Sequence, residues 1–166
     1  MTTTSDEFYT PAQEIQLVKD VLCVISLDPA SCKLANATVK AQRYYTREDD
    51  GLTKSWESRA LFCNPPFSRG LIAQFAKRFV DCGKKADFDS GIMLVNANTS
   101  SSWFQMLMTE CDAVCFCGAG NGFPSRIKFI GGASTARAAS AYFYLGEDRD
   151  DFINVFERRG KVFKLN

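Results

Sequence analysis

Three short apolar runs in this chain stop in the same manner. VLCVISL at 21–27 breaks at Asp28-Pro29-Ala30, RALFC at 59–63 at Asn64-Pro65-Pro66-Phe67, and GIMLV at 91–95 at Asn96-Ala97-Asn98. Each run has the length of a buried strand, and a stretch with helical spacing lies between the second and the third. Strand alternating with helix predicts an α/β fold, a mostly parallel sheet with helices on its faces. Sheets of this class bind ligands outside the carboxyl ends of their strands. Three polar strand ends therefore predict one functional rim.

The remaining elements follow from local pattern. Thr10-Pro11-Ala12-Gln13 reads as a helix start, with Thr10 as N-cap and Gln13 closing a capping box; Ile15, Val18 and Leu22 share a face. A second strand is expected over 39–45, a helix over 71–80 with Gly83 as its stop, and a helix over 101–110. Strands at 113–117 and 141–145 and a short helix over 151–158 complete the pattern. Between them, residues 118–139 form a long glycine- and serine-rich loop around RIKFI. Such a length without structure in a compact domain suggests function, and this loop is the expected substrate-contacting element. The 166 residues fit one domain, 1–166.

Composition removes several chemistries. The chain has no histidine, which excludes an imidazole base and any Ser-His-Asp or Cys-His arrangement. Seven cysteines, an odd number, do not read as a disulfide framework. Cys111, Cys115 and Cys117 have no CxxC spacing, and the last two lie in the apolar run DAVCFC, so they read as buried free thiols and no metal is expected. No apolar run reaches the length of a membrane span, and MTTTSDEFYT has no secretory pattern, so the expected location is cytoplasmic. A net charge of +1 leaves nucleic-acid binding to local patches.

The corner at 64–67 carries the most chemistry. Pro65 and Pro66 supply no backbone donors and fix two φ angles. The Asn64 amide and a backbone carbonyl then present two acceptors at one spot, beside the Phe67 ring. Two acceptors and a ring match a flat heterocycle bearing an exocyclic amine. Taken singly, Asn64 also reads as a turn residue, Asp28 as a helix N-cap, and Glu48-Asp49-Asp50-Gly51 as a solvated turn.

The tetrapeptide NPPF resembles the catalytic motif of amino-methyltransferases. DEFYTP at 6–11, LDPAS at 27–31, RYYTREDDGL at 43–52 and LFCNPPFS at 61–68 resemble, in order, the phage-type Dam DNA N6-adenine methyltransferase family. Weaker similarity continues through WF at 103–104, RIKF at 126–129 and SAYFYLG at 140–146. The resemblance implies a Rossmann-like S-adenosylmethionine-dependent methyltransferase fold with an antiparallel C-terminal strand. It implies S-adenosylmethionine as cofactor, held by Tyr9, Thr10, Asp28, Pro29, Ala30, Asp49 and Asp50, and catalysis by Asn64, Pro65, Pro66 and Phe67. The implied substrate is double-stranded DNA with a flipped adenine, with Arg69, Arg126, Lys128 and Arg137 as DNA-binding residues and Lys84 and Lys85 further off. Those cations read equally as ordinary surface charge. A monomer or weak homo-oligomer is expected, phage-encoded and acting in the host cytoplasm, in the setting of restriction and modification. DPASCKLA departs from the pattern, because no GxG follows the first strand. NPPF alone leaves other amines open, namely RNA adenine, cytosine or a protein glutamine, and leaves open a catalytically silent binding module.

Overall fold

The computed structural model describes residues 8–68, 70–131 and 138–166. Arg69 and Arg137, two of the candidate DNA-binding residues, lie outside them.

The described residues form a seven-stranded sheet in the order β2-β1-β3-β4-β6-β5-β7. Its strands are β1 (Leu27–Asp28), β2 (Arg43–Tyr44), β3 (Ser58–Cys63), β4 (Phe88–Asn96), β5 (Ala113–Cys117), β6 (Ser140–Gly146) and β7 (Gly160–Lys164). The helices are α1 (Ala12–Leu22), α2 (Lys33–Val39), α3 (Leu71–Lys84), α4 (Ser102–Glu110) and α5 (Arg149–Phe156). β1 pairs in parallel with both β2 and β3, and β3 with β4. β6 runs antiparallel to β4 and β5, and β7 antiparallel to β5. The α/β sheet thus carries two antiparallel strands rather than the single C-terminal one expected; β7 is the addition.

Side chains alternate across the sheet. In β3, Ala60 and Phe62 join the core under α1 and α5, while Leu61 and Cys63 join the core under α3 and α4. α3 buries Ile72, Phe75, Phe79 and Val80, each worth about 1.5–3 kcal/mol. Gly70 at its start offers no side-chain cap. A cap adds only about 1 kcal/mol, so packing rather than capping holds this helix.

Several local expectations differ from the structure. VLCVISL is not one strand: α1 runs through Leu22, Cys23 ends it at φ 60, and pairing as β1 is confined to Leu27 and Asp28. Val39 closes α2, and Lys40 turns left-handed at φ 55, leaving only two residues of the expected second strand in β2. Thr10 is not the cap of α1. Pro11 holds that position without a side-chain bond, and Gln13 Nε2 donates to the Gly122 carbonyl. Gly83 lies inside α3. A Cβ there would stand 2.9 Å from Leu145 Cδ1, so the glycine permits close helix–sheet contact rather than ending the helix.

The topology sets up one rim. β1 leads through α2 to β2 on one side, and β3 leads through α3 to β4 on the other, so the order reverses between β1 and β3. Crevices form at such reversals. Phe116 pairs with Ala141, so residues 118–139 leave and re-enter the sheet at the same rim.

Candidate active site

A cavity of about 830 Å³ opens at this reversal. Asp28, Pro29, Ala30 and Ser31 line it from the end of β1, and Asn64, Pro65 and Pro66 from the end of β3. Phe8, Tyr9 and Thr10 line it from the segment before α1, and Thr46, Arg47, Glu48, Asp50 and Gly51 from the loop after β2. Four chain segments distant in sequence therefore share one space.

Asp28 is 2% exposed, and its Oδ1 accepts from the Ala30 amide at 3.1 Å. Burial pushes its carboxyl up to about 7, only partly offset by that amide. A buried carboxylate with no ion-pair partner among the described residues is an expensive group, and it suits a ligand that brings positive charge. The same burial, with Asp28 adding negative charge, drives the neighbouring Cys63 thiol well above its ordinary range.

The absent GxG has a structural counterpart. A Cβ on Gly51 would lie 1.9 Å from the Pro29 carbonyl oxygen. The loop after β2 thus presses its backbone against the β1 turn at a place only glycine permits, and Trp56 Nε1 fixes that loop by donating to the Gly51 carbonyl at 2.8 Å.

The acidic stretch divides its roles. Asp49 does not line the cavity: its Oδ2 accepts from the Thr46 amide and hydroxyl, both at 2.8 Å, and these bonds hold its carboxyl below the usual range. Asp50 and Glu48 do line it, Asp50 at φ 52. Glu48 was not singled out in the sequence, though the Thr46-x-x-Asp49 spacing is that of a side-chain-closed turn, which turns Asp49 away from its neighbours.

Asn64 Nδ2 donates to the Phe8 carbonyl at 2.8 Å and to Thr10 Oγ1 at 3.0 Å. Its Oδ1 is buried and, among the described residues, has no hydrogen-bond partner. Leaving an acceptor so costs about 1–3 kcal/mol, more than a turn residue needs to bear. Phe67 does not line the cavity. Its half-buried ring packs against Phe8 at 6.1 Å and Phe129 at 6.0 Å, and Phe8 meets Phe129 at 5.7 Å.

The loop at 118–139 is built over its described part. Gly120 and Phe123 pair with each other, Asn121 Nδ2 donates to the Arg158 carbonyl, and Tyr9 and Ile130 exchange two backbone bonds of 2.9 Å. Ile127 and Phe129 point inward, while Arg126 and Lys128 are exposed between them. Two of the candidate cations thus face outward from the segment whose inner face holds Phe67. Lys84 and Lys85 end α3, which runs away from this rim, and Lys84 pairs with Glu110 at 2.7 Å. Among the described residues no three metal-ligating side chains converge, and no helix is long and apolar enough to cross a membrane. All seven cysteines are free, and burial raises the thiols of Cys111 and Cys115, the latter to about 12.

The family model described as DNA N-6-adenine-methyltransferase (Dam) matches residues 1–143. A DNA N-6-adenine-methyltransferase of Haemophilus phage HP1 (strain HP1c1) is 28% identical over 106 residues, covering 64% of this chain. The chain spans 56% of the length of that relative. Among solved structures, the METTL16 MTase domain superposes with a TM-score of 0.44 and 11% identity, over 80% of this chain and 65% of the other.

Proposed function

The chain belongs to the DNA N-6-adenine-methyltransferase (Dam) family, and from that premise we propose that it transfers a methyl group from S-adenosylmethionine to the exocyclic amine of adenine in double-stranded DNA. One observation carries the reading: the Asn64 amide is held by its nitrogen, with its oxygen buried and unsatisfied, at the wall of the cavity that Asp28 also lines.

The residues present fit the cofactor. Asp28 is a buried acid with no ion-pair partner among the described residues, the cavity has the size of a small-molecule site, and Gly51 lets the two loops close on its wall. Asp28, Pro29 and Ala30 would hold it at the end of β1, with Tyr9 on the facing segment and Asp50 and Glu48 accepting from hydroxyl or amine groups. When bound, S-adenosylmethionine supplies an electrophilic methyl group on a cationic sulfur. Asp49 supports this wall through its turn with Thr46.

An adenine amine is a weak nucleophile because its lone pair is delocalised into the ring. Asn64 Oδ1 and the Pro65 carbonyl accept its two hydrogens, which draws the nitrogen towards tetrahedral geometry and localises the lone pair. Pro66 keeps the corner stiff. An amide is too weak a base to take the proton first, so deprotonation accompanies or follows transfer. The rate arises from positioning and from fixed dipoles facing the positive charge that develops on nitrogen. A duplex hides this amine, so the base must leave the stack. Phe67, braced by Phe8 and Phe129, would take the flipped base against its half-buried ring, and Arg126 and Lys128 with Arg69 and Arg137 would neutralise phosphates. The enzyme would act in the cytoplasm where its DNA resides.

The test is incubation with methyl-labelled S-adenosylmethionine and an adenine-bearing duplex, followed by nucleoside analysis. Label in N6-methyladenine is expected. Asn64→Ala should lower turnover by at least ~100-fold, the scale of losing one preorganised polar group, with cofactor affinity nearly unchanged. Label confined to RNA, cytosine or protein would redirect the substrate. Loss of cofactor binding in Asn64→Ala would mean the site is misassigned.

A further inference from the structure

Resting on the methyl-transfer reading, we propose that Thr10 and the Phe8 carbonyl form a clamp that sets the polarity of Asn64. Thr10 is then a positioning residue for catalysis rather than a cofactor contact.

The inference begins with an ambiguity built into any asparagine. Its side chain ends in an acceptor and a donor of nearly the same shape, and rotation by half a turn exchanges them. Facing an amine, only the oxygen is useful. Something must therefore choose, and here the partners choose. A backbone carbonyl can only accept, so the Phe8 carbonyl at 2.8 Å obliges the Asn64 nitrogen to face it. Thr10 Oγ1 accepts the second amide proton at 3.0 Å. Thr10 is 2% exposed, so water does not compete for that bond. With both protons taken, Oδ1 is left as the one unsatisfied polar atom of a side chain that lines the cavity. The flipped amide would set oxygen against the Phe8 carbonyl and present a donor to the substrate, which favours a ring carbonyl over an amine.

The direction of the Phe8 carbonyl has its own cause. In an extended segment, one residue sends its N–H and C=O to the same side, and its neighbours send theirs to the other. Tyr9 N and O both bond Ile130. Pairing on that side turns the Phe8 carbonyl away from Ile130, and its partner there is Asn64. The segment Phe8–Thr10 thus has two working edges: one joined to the arm that carries Arg126 and Lys128, the other holding the amide. Thr10, freed from capping α1, has its hydroxyl committed to this second edge.

Two variants and one spectroscopic measurement test this on the full chain. Thr10→Val keeps the shape and removes the acceptor. It should lower kcat by about tenfold or more, the effect of about 1.4 kcal/mol at the transition state, with KM for DNA and Kd for S-adenosylmethionine each within about threefold of wild type. Thr10→Ser keeps the acceptor and should restore kcat. By NMR, the Asn64 side-chain amide protons, assigned by their loss in Asn64→Ser, should exchange slowly in wild type and in Thr10→Ser, and rapidly in Thr10→Val. A Thr10→Val enzyme with unchanged kcat and weakened cofactor binding would overturn the proposal, as would rapid exchange in wild type. Absence of methyl transfer by the wild-type enzyme to any adenine duplex would remove the methyl-transfer reading instead. The clamp would then stand or fall on the exchange measurement.

Discussion

Asp28 carries the cost of a buried acid at the wall of the cavity. Its carboxyl titrates near 7 in the folded chain against 3.8 for an ordinary aspartate. The folded-state value is raised, so below pH 4 both states are neutral and folding has no penalty. As pH climbs towards 7 the unfolded chain ionises first, and the folded state falls behind by about 1.4 kcal/mol per unit. Asp28→Asn removes the titration. Its stability relative to wild type should therefore rise by about 2–3 kcal/mol between pH 5 and pH 8, while its affinity for S-adenosylmethionine falls. Denaturant melts at the two pH values check the first part and calorimetric titration the second; a difference independent of pH would refute the assignment. Asp28 and Asn64 were both legible in the sequence because each ends an apolar run, and a polar residue at a strand end is a local pattern. The Phe8 carbonyl was not, since a backbone group has no letter. Gly51 was hidden for another reason: its constraint is the Pro29 oxygen, 22 positions earlier in the chain.

At the level of elements, β3, β4, β5 and α3 were readable because length and periodicity agreed with burial. VLCVISL was misread because an apolar run reports burial and not geometry: Leu22 is buried by α1, Ile25 and Leu27 by the turn and strand that follow. α2 escaped notice because LANATV has modest helix propensity; Cys32 Sγ caps it from the Ala35 amide, and the Asn36 side chain closes its far end on Ala41. The Arg126–Ile130 segment looked like loop, yet strict alternation of exposed and buried residues makes it strand-like, with Tyr9 as its partner. That alternation yields a prediction. Changing Arg126 and Lys128 to glutamate should leave the fold and cofactor affinity intact but weaken DNA binding. If each contacts one phosphate, neutral substitutions at both should flatten the slope of log K against log salt by about 2. Binding measured from low to moderate salt checks it. An unchanged slope would place DNA on another surface.

Across the whole molecule, the first helix and the turn before the last strand are joined by a buried ion pair. Arg159 Nε donates to both Glu14 oxygens, at 2.9 and 3.0 Å, Tyr142 donates to Glu14 Oε2 at 2.8 Å, and Arg159 Nη1 donates to the Gly118 carbonyl at 2.7 Å. The guanidinium also lies over the Phe123 ring. One residue near the end of the chain thus secures α1, β6 and the root of the segment that follows β5. The family match stops at residue 143, within β6, but the physical domain does not. Phe152 and Phe156 are fully buried against Tyr144 and Tyr142, and β7 covers the open edge of β5. A chain ending at Gly146 would lose both phenylalanines, uncover Tyr142 and Tyr144, leave the β5 edge unpaired and strand Glu14 in an apolar setting. Two buried phenylalanines alone contribute about 3–6 kcal/mol, and an orphaned buried charge costs about 3–5 kcal/mol more. Together these approach the 5–15 kcal/mol that holds a typical domain. The truncated chain should therefore show no cooperative thermal transition by near-ultraviolet circular dichroism. The milder Arg159→Met should fold with stability reduced by about 3–5 kcal/mol, and adding Glu14→Gln should recover part of that loss, because a neutral amide is less costly to bury unpaired than a carboxylate. A truncated chain that melts cooperatively near the wild-type temperature would show that the domain ends where the family match does.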